Sequence, residues 1–322
     1  MADARAFWIS EPGRGEIRDA VVPVPGAGDV VVRTLYSAIS RGTEALVFSG
    51  RVPASERERM RAPFQEGEFP GPVKYGYINV GIVEDGPSAL RGRTVFTLYP
   101  HQTRFVVPSA AARVLPAGVP VERAVLAANM ETALNGVWDA APAAGDRVVV
   151  IGAGAVGCLV ARLMQAVPGV SCTLADVNPS RQSVAAALGV TFAHPDELGR
   201  DATLVVHTSG SAGGLRRALE VAVPESTIVE MSWFGDQMVS LPLGGAFHSA
   251  RLTLKSSQVG MIPPSRRGRW TYESRMQLAL TLLRDDALDS LITGEDAFEA
   301  LPQVMSTVVA DGRATICHRI RY

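Results

Sequence analysis

The sequence predicts an α/β protein in which a doubly wound parallel sheet follows a strand-rich N-terminal domain. Three observations predict it. Residues 1–122 carry short apolar runs broken by Gly and Pro, and from about residue 123 the pattern changes to alternating strand and helix. Between Arg147 and Ile151 an apolar strand then stops at a glycine turn, Gly152-Ala153-Gly154-Ala155-Val156-Gly157, that leads directly into a helical stripe.

The 322 residues exceed what one hydrophobic core usually fills, about 250–300 residues. We therefore read 1–122 as one domain, 123–265 as a dinucleotide-binding domain, and 266–322 as a segment returning to the first. With 47% hydrophobic and 20% charged residues the chain can build a large core. A net charge of −1 gives no electrostatic reason to expect nucleic acid or an anionic membrane. Three cysteines, Cys158, Cys172 and Cys317, lie far apart without C-x-x-C spacing, as in reduced, buried thiols of a cytoplasmic protein. No N-terminal apolar core reads as a signal, and no run of about 18 apolar residues reads as a membrane span.

In chain order, Asp29–Tyr36, Asn79–Glu84 and Thr94–Leu98 read as strands. Ser55 and Glu58 suggest a capping box opening a short helix over Ser55–Arg61, stopped by Pro63. After the glycine turn, Val156, Leu159, Val160, Leu163 and Met164 form one helical stripe. Ser171–Ala175 is the next strand, Asn178-Pro179 starts a second helix, and Gly189 closes it. Strands follow at Ala202–His207, Thr227–Met231 and Leu252–Ser256, with a helix over Gly214–Val223. Such an alternation builds a parallel sheet with right-handed crossovers. Helices over 270–284 and Phe298–Val308 and a strand over Thr315–Ile320 complete the chain.

The glycine turn carries the chemistry of a dinucleotide site. Gly152 permits the tight turn, Gly154 lets backbone N–H groups approach a pyrophosphate, and Gly157 lets the helix pack on the strand. Amides of Ala153, Ala155 and Val156 and the positive helix end face the phosphates. Asp176, ending the second strand, suits a free ribose 2′-hydroxyl and so NAD over NADP. Arg181 lies one helical turn on, as a cofactor contact or a solvated helix face. Thr208-Ser209-Gly210, Ser232 and Ser257 end the next three strands, where ribose and nicotinamide contacts are expected.

Over nearly its whole length the chain resembles the medium-chain dehydrogenase/reductase superfamily of zinc-type alcohol dehydrogenase-like proteins. The likeness is carried by Val30–Gly50, by Pro70-Gly71-Pro72 through Gly81-Ile82-Val83-Glu84, by Thr132-Ala133, and by the closing Ile292–Ile320 pattern. It implies a Rossmann domain, a GroES-like, partly open β-barrel catalytic domain, a cleft between them, and a homodimer through the edge of the nucleotide sheet. It also implies that Arg41, Arg313 and Thr132 contact the cofactor. Zinc members carry Cys where this chain has Ser40, His-Glu where it has Tyr77-Ile78, and a third ligand near Ala128–Met130, where it has no Cys. The four-cysteine structural lobe is absent. Zinc requires Cys, His or carboxylate ligands, so no catalytic and no structural zinc is expected. Ser40-Arg41-Gly42-Thr43-Glu44 resembles a zinc-free branch that includes bacteriochlorophyllide hydroxyethyl dehydrogenases.

Without a metal, a developing alkoxide needs hydrogen-bond donors and its proton an acceptor. Ser40, Thr43, Glu44, Lys74, Tyr77 and Glu131 cluster at the positions that replace it. A cation from Lys74 favours a Tyr77 phenolate, and Glu44 or Glu131 is a base if partly buried. Each has a structural reading too: Glu44 as a cap or ion-pair partner, Tyr77 as a pocket wall, Lys74 as a surface or phosphate-facing lysine, Ser40 and Thr43 as silent lining, Glu131 as a brace. His248, just before the sixth strand, is a titratable candidate or, as general usage favours, a satisfied or surface histidine; His101 and His207 read the same way, and His194 lies in a loop before Pro195. The Arg266-Arg267-Gly268-Arg269 run beside Trp270 and Tyr272 is a solvated loop or a seat for an anionic, aromatic substrate. Arg57–Arg61 and the Phe64–Phe69 loop form its other wall or plain surface.

The expectation is a zinc-independent oxidoreductase moving a hydride between NAD(H) and an alcohol or ketone. A zinc-free quinone or enoyl reductase, and an inactive nucleotide-binding protein lacking an ordered proton path, are the alternatives.

Overall fold

The computed structural model describes residues 4–310 and 315–322. The chain divides into two compact units: 1–128 with 280–285 and 292–322, and 129–279 with 286–291. The segment 266–322, expected to return as a whole to the first domain, is therefore shared: 266–279 and 286–291 pack in the second unit.

In the first unit, strands Ala4–Glu11 and Arg14–Ala20 form an antiparallel hairpin joined by Val73–Lys74 and Glu66–Gly67. The long strand Asp29–Ile39 organises the second sheet. It pairs antiparallel with Asn79–Asp85, Arg104–Pro108 and Cys317–Arg321. Thr94–Thr97 and Arg113–Val114 extend one side, and Ile292–Ala297 runs parallel to Cys317–Arg321 on the other. Register shifts at Val31/Val32 and Thr34/Tyr36 mark β-bulges, which bend a strand enough for different stretches of it to serve different partners. Val30, Val32, Val83, Val95, Phe105 and Val107 fill the interior with Tyr99 and Ala112.

A helix over Arg41–Phe48, unmarked by any sequence signal, follows the long strand. The helix expected over Ser55–Arg61 does not form. Ala54–Glu56 makes one 3₁₀ turn and the chain continues in turns, because no residue over 54–60 is buried and no apolar face packs to hold a helix there.

In the second unit, six parallel strands lie in the order Thr191–Ala193, Ser171–Ala175, Arg147–Ile151, Ala202–His207, Ala222–Glu230, Thr253–Ser256. Numbered along the chain this is 3-2-1-4-5-6, and the order reverses beside Arg147–Ile151, where such sheets bind ligands at their C-terminal edge. Val148, Val149, Val150 and Ile151 are all buried, as a strand covered on both faces requires. Leu215, Ala218 and Leu219 of helix Ala212–Val221 pack on Val149, Val205 and Ile228. Helix Ala155–Gln165 buries Cys158, Leu159, Val160, Ala161 and Met164, while Val156 and Leu163 of the expected stripe are half-buried. The fifth strand begins at Ala222, before the expected Thr227. All three cysteines are free and buried, and no described helix is long and apolar enough to cross a membrane.

Candidate active site

The second unit presents a cradle at the tips of its central strands. Gly152 has φ +112°, a conformation that side chains rarely adopt. A Cβ on Gly157 would lie 1.8 Å from the Gly152 carbonyl oxygen, so only glycine lets the helix start this close to the turn. Beside Gly154, by contrast, nothing lies within 4 Å of an added Cβ. That open side flanks the first turn of Ala155–Gln165, whose amides have no partners inside the helix. A dinucleotide pyrophosphate fits this chemistry. Asp176 lies at the loop: its Oδ2 accepts the Ala153 amide at 2.7 Å and its Oδ1 the Asn178 amide at 2.8 Å. Thr208 donates to the Gly152 carbonyl at 2.9 Å and so braces the turn.

His207, read from the sequence as a satisfied or surface histidine, is the hub of the neighbouring strand tips. Its Nδ1 lies 2.6 Å from Glu230 and 3.3 Å from Ser232 Oγ, and its Nε2 lies 2.6 Å from Ser209 Oγ. A carboxylate only accepts, so Nδ1 carries a proton toward Glu230. Ser232 Oγ accepts the Gly210 amide at 3.0 Å. Two of the predicted serines are thus held by a fully buried imidazole, with Ser209 itself exposed. Ser257 instead donates to Asp139 at 2.7 Å.

In the first unit, the residues at the metal-ligand positions form a connected polar group. Tyr77 donates to Ser40 Oγ at 2.6 Å and also bonds Thr43. Helix Arg41–Phe48 starts at Ser40 and places Glu44 one turn in, where its Oε1 accepts the Ser40 amide at 2.8 Å. The helix N-terminus favours this carboxylate. Glu44 Oε2 lies 3.0 Å from His101 Nε2, both groups being almost wholly inaccessible. His101 Nδ1 lies 2.7 Å from Ser37 Oγ, which lies 3.0 Å from the Tyr322 hydroxyl.

Burial, reinforced by the Glu44 charge, pushes the Tyr77 phenol up to about 12, against weaker opposing hydrogen bonds from Ser40 and Thr43. The expected Lys74-stabilised phenolate is therefore corrected: Tyr77 is a phenol. Lys74 does not face it. Its ammonium bonds Glu66 and, at 2.8 Å, Gln102 Oε1, and it lies over the Tyr99 ring. Burial lowers its pKa, with Glu66 opposing the shift.

Glu131 is held by Arg275 at 3.1 Å, both inside the second unit and both buried. Arg275 also bonds Asn135 and the Val259 carbonyl. The bidentate-capable Arg275 guanidinium ties Glu131 to the fold, and the bracing role fits it. Arg181 is buried rather than on a solvated face, and its charge reaches Cys158, as does that of Asp176. Arg41 is half-buried at the start of its helix, Thr132 lies within helix Ala127–Ala140, and Arg313 lies outside the described residues. His248 is exposed, as are Arg266, Arg267 and Arg269; Arg266 lies over Trp138 and Arg267 donates to the Ile262 carbonyl.

The donor set at Ser40, Tyr77 and Ala128–Met130 contains no thiolate, imidazole or carboxylate and does not fit the zinc of the resembling family. Among the described residues no group of three or more His, Cys, Asp or Glu is placed to hold a metal ion.

No protein-family model matches the chain. A curated relative, the 2-desacetyl-2-hydroxyethyl bacteriochlorophyllide A dehydrogenase of Rhodobacter capsulatus, is 31% identical over 211 residues, 59% of this chain and 60% of that protein. The match thus spans about three fifths of the relative's length. Among solved structures, an alcohol dehydrogenase of Escherichia coli CFT073 in complex with NADH covers 100% of both chains with a TM-score of 0.78 at 17% identity. A dehydrogenase of Sinorhizobium meliloti 1021, described as zinc-binding and bound to NADP, covers 99% of both with a TM-score of 0.77 at 17% identity.

Proposed function

We propose that the chain, whose fold these solved dehydrogenases share, is an NAD-dependent oxidoreductase that interconverts an alcohol and its carbonyl counterpart without zinc. The observation that carries this reading is the joined Tyr77–Ser40–Glu44 group at the positions where the resembling family holds its metal. The relative's name, a 2-desacetyl-2-hydroxyethyl bacteriochlorophyllide A dehydrogenase, supports the substrate class.

When bound, the dinucleotide supplies or accepts the hydride. Gly154 and the first-turn amides seat its pyrophosphate, and Asp176 takes a ribose hydroxyl. A 2′-phosphate would meet that carboxylate, which supports NAD over NADP. Tyr77 and Ser40 supply the hydroxyls that bind the substrate oxygen and exchange its proton. A neutral phenol donates to a developing alkoxide. Glu44 accepts the Ser40 backbone amide behind them and so fixes the start of the helix that carries Ser40 and Thr43.

The test is turnover of chelator-treated protein with NAD and a panel of secondary alcohols, and with NADH and the matching ketones. Interconversion with NAD(H) is expected. Reduction of activated alkenes alone would replace it with an enoyl or quinone reductase, and dinucleotide binding without turnover would leave a nucleotide-binding protein.

A further inference from the structure

The loop that leaves the sixth strand carries Arg266, Arg267 and Arg269, and the chemistry assigned above uses none of them. We propose that this loop seats an anionic group, a phosphate or a carboxylate borne on a flat ring, so that the substrate is an acidic aromatic compound. The inference rests on the oxidoreductase reading and names the substrate class for it.

All three arginines are exposed, and among the described residues none of them makes an ion pair. By contrast Arg147, Arg217 and Arg275 of the same unit each face a carboxylate. Like charges this close in sequence repel, and a bound anion relieves the repulsion. A guanidinium offers a planar fork of donors that takes carboxylate or phosphate oxygens two at a time. One turn with three such forks suits one anionic group. Nucleic acid needs phosphate contacts in number, and a chain of net charge −1 has no general attraction for it.

The turn is built to hold these side chains. The Arg266 and Arg267 amides donate to the Pro263 carbonyl at 2.8 and 3.2 Å, and the Arg269 and Trp270 amides donate to that of Arg266 at 3.0 and 3.1 Å. Ile262 and Pro263 are buried, and Arg267 Nε donates to the Ile262 carbonyl at 2.8 Å. At the base of the loop the buried Arg275, paired with Glu131, donates to the Val259 carbonyl at 2.7 Å, and the Tyr272 hydroxyl donates to that of Gly260 at 2.9 Å. Aromatic surface accompanies the charge. Trp270 packs on Trp138 with ring centroids 4.8 Å apart, and the Arg266 guanidinium lies over Trp138 at 5.9 Å. Half-buried Trp270 and exposed Met261 and Tyr272 leave apolar area beside the cations for a flat ring.

The position of the loop assigns the anion to the substrate and not to the dinucleotide. Parallel strands end on one edge, so a loop leaving Ser256 opens on the same edge as the Gly152 turn. Asp139, next to Trp138, accepts the Ser257 hydroxyl at 2.7 Å, which places the indole at that edge too. The sixth strand stands three strands from Arg147–Ile151, roughly 14 Å by the usual strand spacing, on the side away from Asp176. A dinucleotide with one ribose at Asp176 and its pyrophosphate at Gly154 extends its nicotinamide toward the fourth, fifth and sixth strands. The arginines therefore lie at the reacting end, beyond the cofactor's phosphates.

Two measurements on the full chain test this. The first is calorimetric titration with 1-naphthyl phosphate, 1-naphthoate and the neutral 1-naphthamide. At least one anion should bind about tenfold or more tighter than the amide, the scale of a charge-assisted hydrogen bond. The Arg269 side chain has no hydrogen bond, ion pair or ring contact among the described residues. Arg269→Ala should therefore keep the melting temperature while weakening the anion about tenfold, and Arg269→Lys should recover only part of the loss, having charge without the fork. That loss separates this seat from the glycine turn, which also suits phosphate. The tighter of the two anions identifies the group. Equal affinity for amide and anions, or anion binding unchanged in Arg269→Ala, would overturn the seat. The second is reduction of 4-acetylphenyl phosphate, 4-acetylbenzoate and the neutral 4-acetylbenzamide with NADH. An anionic ketone should show the higher kcat/KM, and Arg269→Ala should remove that preference through KM. Turnover of all three without preference strikes the seat and leaves the oxidoreductase standing. Anion binding that is lost in Arg269→Ala, with no ketone reduced, keeps the anion seat and strikes the oxidoreductase reading.

Discussion

On the proposed reading, the Tyr77 hydroxyl is where the chemistry of this chain is decided. A phenol held near 12 by burial and by Glu44 remains protonated at neutral pH, so the role proposed for it is that of a donor and not of a resting base. Tyr77→Phe should keep dinucleotide binding and lower kcat for ketone reduction by about 10²-fold or more, the scale of a lost general acid. The alkaline arm of the pH profile should not come from Tyr77 below about pH 11. Steady-state kinetics between pH 6 and 10 would show it. Asp176 makes a separate prediction. Its carboxylate sits against the glycine-turn amides, so Asp176→Ala should raise the NADPH-to-NADH affinity ratio by about tenfold or more, roughly 1.4 kcal/mol, in a nicotinamide-fluorescence titration.

Among the elements, the turn from Arg147–Ile151 into Ala155–Gln165 carries the most constraint. Gly157→Ala would drive a methyl into the Gly152 carbonyl and against Thr208 Oγ1, 2.5 Å away. We expect loss of dinucleotide binding and destabilisation of about 1–3 kcal/mol, read by thermal melting. Gly154→Ala meets nothing in the protein, so its melting temperature should hold while binding weakens. This turn was legible because its signal is local: each glycine answers to a neighbour a few residues away. The hydrogen-bonded group around His101 was not. Glu44 and His101 are 57 residues apart, His101 and Ser37 are 64, and Ser37 and Tyr322 are 285. A lone histidine in sequence shows neither its carboxylate nor its hydroxyl, and His207 escaped notice for the same reason, with Glu230 brought to it by strand pairing. Helix Arg41–Phe48 lacks a side-chain cap hydrogen bond at Ser40, so the signal that marks helix starts was missing there too.

At the scale of the whole molecule, the three thiols predict alkaline behaviour. Burial pushes Cys158, Cys172 and Cys317 up to about 12 from an ordinary 9. Unfolded, they ionise first. Between about pH 9 and 12 the unfolded chain therefore binds fewer protons than the folded one, and stability falls as pH rises through that window. Below pH 9 the contribution is complete. Urea unfolding at pH 7.5 and 10 should show the loss, reduced in a Cys→Ala variant at any one of the three positions.

The account depends most on the second unit taking up a pyridine dinucleotide unaided by metal, and a titration of chelator-treated protein with NADH, followed by nicotinamide fluorescence, tests that directly. One equivalent should bind, more tightly than NADPH, and Gly157→Ala should abolish the signal. No saturable change with either dinucleotide, or binding that appears only on adding back zinc, would contradict it.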